Sequence, residues 1–243
     1  MDEHKKVQDI AKDNYNNSSP WPQNDAWHSY THQTIHNYVQ HTLDSLNLSC
    51  EKIILNAGCG LTTYRTSATI IYMDIVEKYV ERFENHLVAS IEKIPISNYS
   101  VDVIICVGSV LNYADIQKAF SEFKRVLNPK GFLIIEYERS NSAEFLFRKH
   151  YGDMVFLKKY HYNGQNHSLW MYNEKLVMLL SKYYGFSLIK KYRFHIISSI
   201  LYRMGLPEEK AAYYSHLDTF TQLMSYPFAH NEIAIYRNCS IIN

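Results

Sequence analysis

Two groups of residues in this chain have the types and spacing to do chemistry. The first is Gly58-Cys59-Gly60, which follows the apolar run Ile53-Ile54-Leu55. A lone acid, Asp74, stands fourteen positions past Gly60, closing a second apolar run, Ile70-Ile71-Tyr72-Met73. Two glycines around one small residue let the backbone turn sharply and let a ligand approach where a Cβ would collide. Short apolar runs of this kind read as buried parallel strands. A carboxylate ending the second strand of a doubly wound sheet can accept from both hydroxyls of a ribose. The second group is the histidines, twelve in all. His28, His32 and His36 recur every fourth residue, on one face of a helix. A zinc site usually adds a carboxylate, a cysteine or a distant histidine to such a stripe, and the sequence shows none, so no metal site is expected. The other reading is a solvated or pocket-edge face, with one histidine turned to a cleft.

More of the chain falls into the same frame. Asn56-Ala57-Gly58-Cys59-Gly60 and Asp74 are followed by Ile91-Glu92-Lys93-Ile94-Pro95, then Val101-Asp102-Val103-Ile104-Ile105, then the stretch from Phe123 through Asn128-Pro129-Lys130-Gly131 to Phe132. In this order and spacing the segment 50–140 resembles the class I S-adenosylmethionine-dependent methyltransferases. A dinucleotide-binding dehydrogenase would want a third glycine at position 63, where this chain has Thr63. The resemblance implies an α/β fold: a Rossmann-like, seven-stranded, mostly parallel sheet with helices on both faces. It also implies S-adenosyl-L-methionine as the cofactor. On that likeness Gly58 and Gly60 lie beneath the methionyl and ribose parts, Asp74 accepts from the ribose hydroxyls and Ile75 packs on adenine. Val107 and Gly108 line the methionyl end. Asn56 replaces an acid that faces the methionyl amino group. Ser90 stands where an acid pairs with the adenine amino group, and the amide of Ile91 comes next.

Methyl transfer from a sulfonium is an in-line displacement with a neutral leaving group. The protein's main tasks are to align the reactants and exclude water. A base is needed only for an acceptor that arrives protonated, and histidine suits it, contributing about 10²–10⁴-fold. Among His28, His32, His161 and His167, the first choices are His161 and His28, in segments expected to roof the pocket. The substrate expected is a small molecule methylated on oxygen or nitrogen. Alternatives are a cyclisation or elimination that uses the bound sulfonium, and a binding module without turnover.

The elements that must position these residues can be read along the chain, taken as one domain over 1–243. Residues 1–48 form an N-terminal lid and helix, 49–138 the cofactor-binding core, and 139–172 and 196–229 substrate-cap insertions. Segment 1–24 is polar, with prolines flanking Trp21 that break any helix there, and reads as a mobile arm, a lid or packing outside the sheet. Apolar periodicity predicts a helix over 25–47 capped by Asn24 or Asp25. Strands are predicted at 52–56, 69–73, 86–89, 101–107 and 132–137, with 61–68 too short for the family's first helix. Helices are predicted at 76–85, 115–127 and 176–184, the last closed by Gly185. Residues 128–131 read as a turn. Asn112 and Tyr113 either face the substrate or cap the following helix. Val155–Tyr162 reads as an added strand or hairpin turning at Asn163-Gly164. A sixth strand starts near Ser187, the segment 196–229 is helical, and 232–237 forms an antiparallel last strand.

The 243 residues suffice for a core without staples. A net charge of +1 gives no strong pull on nucleic acid or anionic membrane. The Asn-Pro-Pro-Tyr-type tetrapeptide of amino-directed nucleic-acid enzymes is missing after the fourth strand. No apolar run approaches the ~20 residues of a membrane span, and the first residues lack the apolar core of a signal peptide. Four cysteines without metal spacing read as small residues of a reducing, cytoplasmic compartment. The 21 tyrosines include candidates for the wall of a pocket for a flat or polyhydroxylated substrate.

Overall fold

The apolar runs lie side by side as the spacing requires. In the computed structural model, residues 2–18, 25–162, 164–218 and 228–239 are described. The chain begins with α1 (Glu3–Asn17) and α2 (Ala26–Leu46). It continues through β1 (Ile53–Ala57), β2 (Thr69–Asp74), α3 (Glu77–Val80), β3 (His86–Val88), β4 (Val101–Cys106), α4 (Ile116–Val126) and β5 (Leu127–Glu138). A hairpin of β6 (Val155–Tyr162) and β7 (Gln165–Tyr172) follows. Then come α5 (Glu174–Tyr183), β8 (Phe186–Phe194), α6 (Ile197–Arg203), α7 (Glu208–Ala212) and β9 (Asn231–Asn238). The main sheet has seven strands in the order β3-β2-β1-β4-β5-β9-β8, and β6-β7 form a separate sheet. Neighbours from β3 to β5 pair parallel, whereas β9 runs antiparallel to both β5 and β8. This is the expected Rossmann-like α/β architecture, and the strand order reverses between β1 and β4, where such sheets bind ligands.

Period-2 alternation sends neighbouring strand residues to opposite faces. Leu55, Met73 and Ile104 pack on Phe120 and Phe123 of α4. Ile54, Val103 and Ile105 pack on Ile35, Val39 and Leu43 of α2. Each such side chain contributes about 1.5–3 kcal/mol on burial. The helices start where short acceptors stand: the Asp25 side chain accepts from His28 N at 3.0 Å, and Asp115 accepts from Gln117 N at 2.9 Å. Asn47 closes α2 in the left-handed conformation, φ 46°. None of the described helices is long and apolar enough to cross a membrane.

Three expectations are corrected. The N-terminal arm is a helix as far as Asn17, capped by Asp2, with Val7, Ala11 and Asn14 buried at helical spacing; Trp21 and its flanking prolines lie outside the described residues. The helix expected over 76–85 is a single turn, α3. Glu81, Arg82, Glu84 and Asn85 are exposed and offer no second apolar turn, and the Phe83 ring stacks on Tyr72 at 3.7 Å instead. The turn expected at 128–131 is taken up into β5, with Lys130 at φ 65° and a register shift opposite Val101 and Val103. Elsewhere 61–68 holds no helix, Gly164 turns the hairpin at φ 77°, and Gly185 follows α5 at φ 74°. The segment 196–218 is helical, with α7 restarting after Pro207.

Asn112 neither caps α4, which Asp115 does, nor faces the substrate. It is fully buried, donating to the carbonyls of Glu138 at 3.0 Å and Trp170 at 2.7 Å and accepting from Glu138 N at 2.9 Å. It thus fixes the end of β5 and ties the hairpin to it. Asn112→Ala leaves three backbone groups without partners and is expected to lower the unfolding free energy by about 2–4 kcal/mol in urea melts. A loss under about 1 kcal/mol would show that water replaces the amide.

Candidate functional site

The nine residues assigned to the cofactor by resemblance, Asn56, Gly58, Gly60, Asp74, Ile75, Ser90, Ile91, Val107 and Gly108, all line one cavity of about 190 Å³ at the carboxyl ends of the parallel strands. Its floor is the glycine turn. Gly58 N and Cys59 N donate to the Met73 carbonyl at 2.7 and 3.1 Å, clipping the turn to β2. Gly58 has φ 72°, and a Cβ there would lie 2.4 Å from the Val110 side chain, so only glycine fits. Asp74 accepts from Gly60 N through one oxygen and from Val76 N through the other, each at 2.9 Å. Burial raises its carboxyl pKa, and hydrogen bonds from Val76, Gly60 and Ile75 oppose the rise. A carboxylate has about four lone-pair sites, so after these three amides one remains to accept from a hydroxyl above it. This acceptor fits the ribose of a nucleoside, whose hydroxyls donate. The Asn56 amide donates to the Thr62 carbonyl at 3.1 Å, holding the 61–68 loop against β1.

Helix α1 covers this floor. Gln8, Ala11 and Tyr15 of α1 and Ser18 just past it line the cavity. The Tyr79 hydroxyl donates to the carbonyls of Tyr15 at 2.7 Å and Ser18 at 2.9 Å, and Lys78 Nζ donates to that of Asn16 at 2.7 Å. The Ser90 hydroxyl donates to Gln8 Oε1 at 3.3 Å, so α1 supplies an amide beside the position that lacks the family's acid.

Beyond Gly108 the wall is aromatic and acidic. Tyr15 and Tyr113 join hydroxyl to hydroxyl at 2.9 Å with their rings edge to face. Glu138, at the end of β5, takes the His230 Nε2 at 3.1 Å and the Ser109 hydroxyl at 3.0 Å. The other His230 nitrogen lies 3.2 Å from Glu144, which Lys158 meets at 2.8 Å. Burial would raise the Glu138 carboxyl, but the His230 hydrogen bond and charge, with Lys158 and Ser109, bring it down to about 2. Behind it Glu136 is fully buried, accepting from Gly108 N at 2.9 Å, Ser109 N at 2.7 Å and the Asn231 amide at 2.6 Å. Burial outweighs these bonds and lifts its pKa to about 7.

The two histidines named for catalysis part company. His28 lines the cavity, with its Nδ1 2.8 Å from Asp25. Burial opposes its protonation, but the hydrogen bond and charge of Asp25 prevail and its pKa is raised. His161 is exposed on β6, its Nδ1 3.1 Å from Asn166 Oδ1, and is not part of the cavity wall. The reason is strand parity: Tyr160 and its partner His167 face the cavity, so His161 and its partner Asn166 point away. His32, His36 and His167 also line the wall. Among the described residues no group of histidines, cysteines and acids has metal-binding geometry. Cys59 is buried, its thiol pushed up to about 12 by burial, so it offers no thiolate. Sequence reasoning missed Glu138, His230, Asn231 and Gln8. A signal for the first existed, since Glu136 and Glu138 interrupt an apolar strand at its carboxyl end.

Fold and cavity together define the class I S-adenosylmethionine-dependent methyltransferase fold, and the comparisons agree. Residues 55–135 match the family described as a methyltransferase domain. An uncharacterized protein of Methanocaldococcus jannaschii is 30% identical over 89 residues, 34% of this chain, and the match spans 39% of that protein's length. Among solved structures, the 1,6-didemethyltoxoflavin-N1-methyltransferase of Burkholderia thailandensis, with its substrate and S-adenosylhomocysteine bound, superposes with a TM-score of 0.60 at 12% identity, covering 99% of this chain and 92% of that one. The [4+2]-cyclase SpnF superposes with a TM-score of 0.53 at 12% identity, covering 83% and 80%.

Glu136 makes stability depend on pH. Its folded pKa of about 7 lies above the ordinary carboxyl value of 4.5, so its contribution is fully present below about pH 4.5 and is lost as pH rises through 7. Urea melts are expected to show up to about 3 kcal/mol of this loss between pH 5 and 8 in the native protein and a flatter profile in Glu136→Gln. Parallel profiles would remove Glu136 as the cause.

Proposed function

We propose that this protein is an S-adenosylmethionine-dependent methyltransferase acting on a small molecule, at oxygen or nitrogen. The observation that carries the reading is the convergence of all nine predicted cofactor residues on one cavity roofed by α1. S-adenosylmethionine, when bound, supplies a methyl group on a sulfonium that leaves as a neutral thioether. The residues of this chain bind and orient. Asp74 accepts from a ribose hydroxyl, the turn from Gly58 to Gly60 lets the nucleoside approach the backbone, and Ile75 and Ile91 pack against the base. Ser90 and Gln8 offer polar partners where the family's acid is missing. The lid and the Tyr15–Tyr113 pair keep water from the reacting atoms, which strengthens every electrostatic interaction inside.

His28 is the histidine best placed to take a proton from an acceptor, because it lines the cavity and Asp25 fixes its ring through Nδ1. A second reading keeps the cofactor and changes the reaction to cyclisation or elimination. The likeness of fold to a [4+2]-cyclase supports it. Release of S-adenosylhomocysteine from a metabolite extract, with a mass gain of one methylene in an extract component, separates methyl transfer from that reading and from a binding module without turnover.

Asp74→Ala is expected to weaken S-adenosylhomocysteine binding by about 2 kcal/mol or more in calorimetry, the loss of a charged acceptor opposite a hydroxyl donor. An unchanged dissociation constant would refute the ribose assignment. His28→Ala is expected to cut turnover about 10²-fold or more while leaving cofactor affinity within about threefold. Full turnover in that variant would leave catalysis to positioning.

A further inference from the structure

The cavity wall carries an imbalance that cofactor binding does not use. Among the described residues that line it there is no lysine and no arginine, while two carboxylates, Asp74 and Glu138, do line it. Asp74 is engaged by the backbone of the glycine turn and belongs to the ribose end. Glu138 stands on the far side of the strand-order reversal, on β5, where a second molecule must lie to reach the methionyl end. Its two oxygens are held by Ser109 and His230 and keep lone-pair capacity for one donor more.

His230 at 3.1 Å and the Lys158 charge hold Glu138 ionised, and among the described residues no lysine or arginine lines the cavity beside it. The charge of Lys158 on β6 reaches Glu138, and its Nζ lies against Glu144 at 2.8 Å. His28 on α2 faces Asp25, and Glu208 on α7 lies near both. Around Glu138 the carboxylates Glu138, Glu144 and Asp25 face Lys158, His28 and His230, so the balance turns negative when either histidine is neutral or Glu208 is ionised. The phenols of Tyr15, Tyr113 and Tyr160 all feel Glu138, and burial, the larger effect, also raises their pKa values, so they stay neutral. Tyr15 bonds to Tyr113, hydroxyl to hydroxyl. An ionised carboxylate beside neutral aromatic rings attracts a cation through its charge and through the ring faces. It repels a carboxylate or phosphate, which no lysine or arginine of the wall would receive.

We propose that the small molecule taken up beside the cofactor carries a cationic nitrogen, an ammonium or a methylated ammonium, seated on the Glu138 carboxylate against Tyr15, Tyr113 and Tyr160. This deepens the methyltransferase reading and rests on it for the role of the molecule as acceptor, though not for the binding itself. Glu138 is then the group that selects the acceptor, and anionic acceptors are excluded.

The test uses two ligands of equal shape and different charge, phenethylamine and 2-phenylethanol. Each is titrated calorimetrically at pH 7.5 into the full chain saturated with S-adenosylhomocysteine. Phenethylamine is expected to bind about tenfold or more tightly than the alcohol, a difference of about 1.4 kcal/mol. Glu138→Gln is expected to bring the two within about threefold while S-adenosylhomocysteine affinity stays within about threefold. Equal binding of the pair, tighter binding of the alcohol, no binding of either, or a preference that survives in Glu138→Gln would overturn the proposal. So would a loss of S-adenosylmethionine affinity in Glu138→Gln with S-adenosylhomocysteine affinity kept, which would turn the carboxylate toward the sulfonium. Should the variant fail to fold, choline against 3,3-dimethylbutan-1-ol repeats the comparison on the native chain, and absence of a preference for choline overturns the proposal. If S-adenosylhomocysteine does not bind at all, the methyltransferase reading fails. The same amine–alcohol pair on the chain alone then still decides for or against the cation site.

Discussion

The grip of Asp74 on the glycine turn is the interaction on which the rest of the site depends. Its two oxygens receive Gly60 N and Val76 N, so one side chain at the end of β2 holds the turn after β1 and starts the turn before α3. The backbone reinforces it, with Gly58 N and Cys59 N on the Met73 carbonyl. The floor of the cavity is therefore built of N–H groups and one carboxylate, all fixed by strand pairing. Long side chains, which lose rotamer freedom when ordered, contribute little to it. The same carboxylate that shapes the turn offers its remaining lone pair to whatever lies above.

A second carboxylate does the same one strand pair further on. Glu136 receives Gly108 N and Ser109 N, and Ser109 sits at φ 58°, a conformation a non-glycine side chain adopts at some cost. The buried glutamate stabilises that loop by accepting its two amides. In this way Asp74 and Glu136 order the two loops that face each other across the strand-order reversal.

Much of the fold was legible in the sequence because the pattern that predicts strands is local. Apolar runs such as Ile53-Ile54-Leu55 and Val103-Ile104-Ile105 have one stable place in a parallel sheet, buried on both faces. The cavity floor was legible for the same reason: Gly58, Gly60 and Asp74 keep a fixed relation to strand ends. The wall around Glu138 was not. Glu138 and His230 lie 92 positions apart in sequence and meet only through the pairing of β5 with β9. His161 failed on parity, since nothing local tells which face of an added hairpin will turn inward. Helix α1 was hidden by polar residues, because its buried stripe of Val7, Ala11 and Asn14 includes an asparagine, which donates to the Asn166 carbonyl of β7 at 2.9 Å.

The hairpin of β6 and β7 forms its own two-stranded sheet, joined to the end of β5 by the bridge between Arg139 and Tyr172 and by the Asn112 amide on the Trp170 carbonyl. Tyr160, Gln165 and His167 on it nonetheless form part of the cavity wall. Substitutions there can alter which molecules are accepted while the seven-stranded ladder and the nucleoside floor keep every bond they have. The architecture thus separates a rigid chassis from a detachable mouthpiece, so the second can be retooled without having to refold the first.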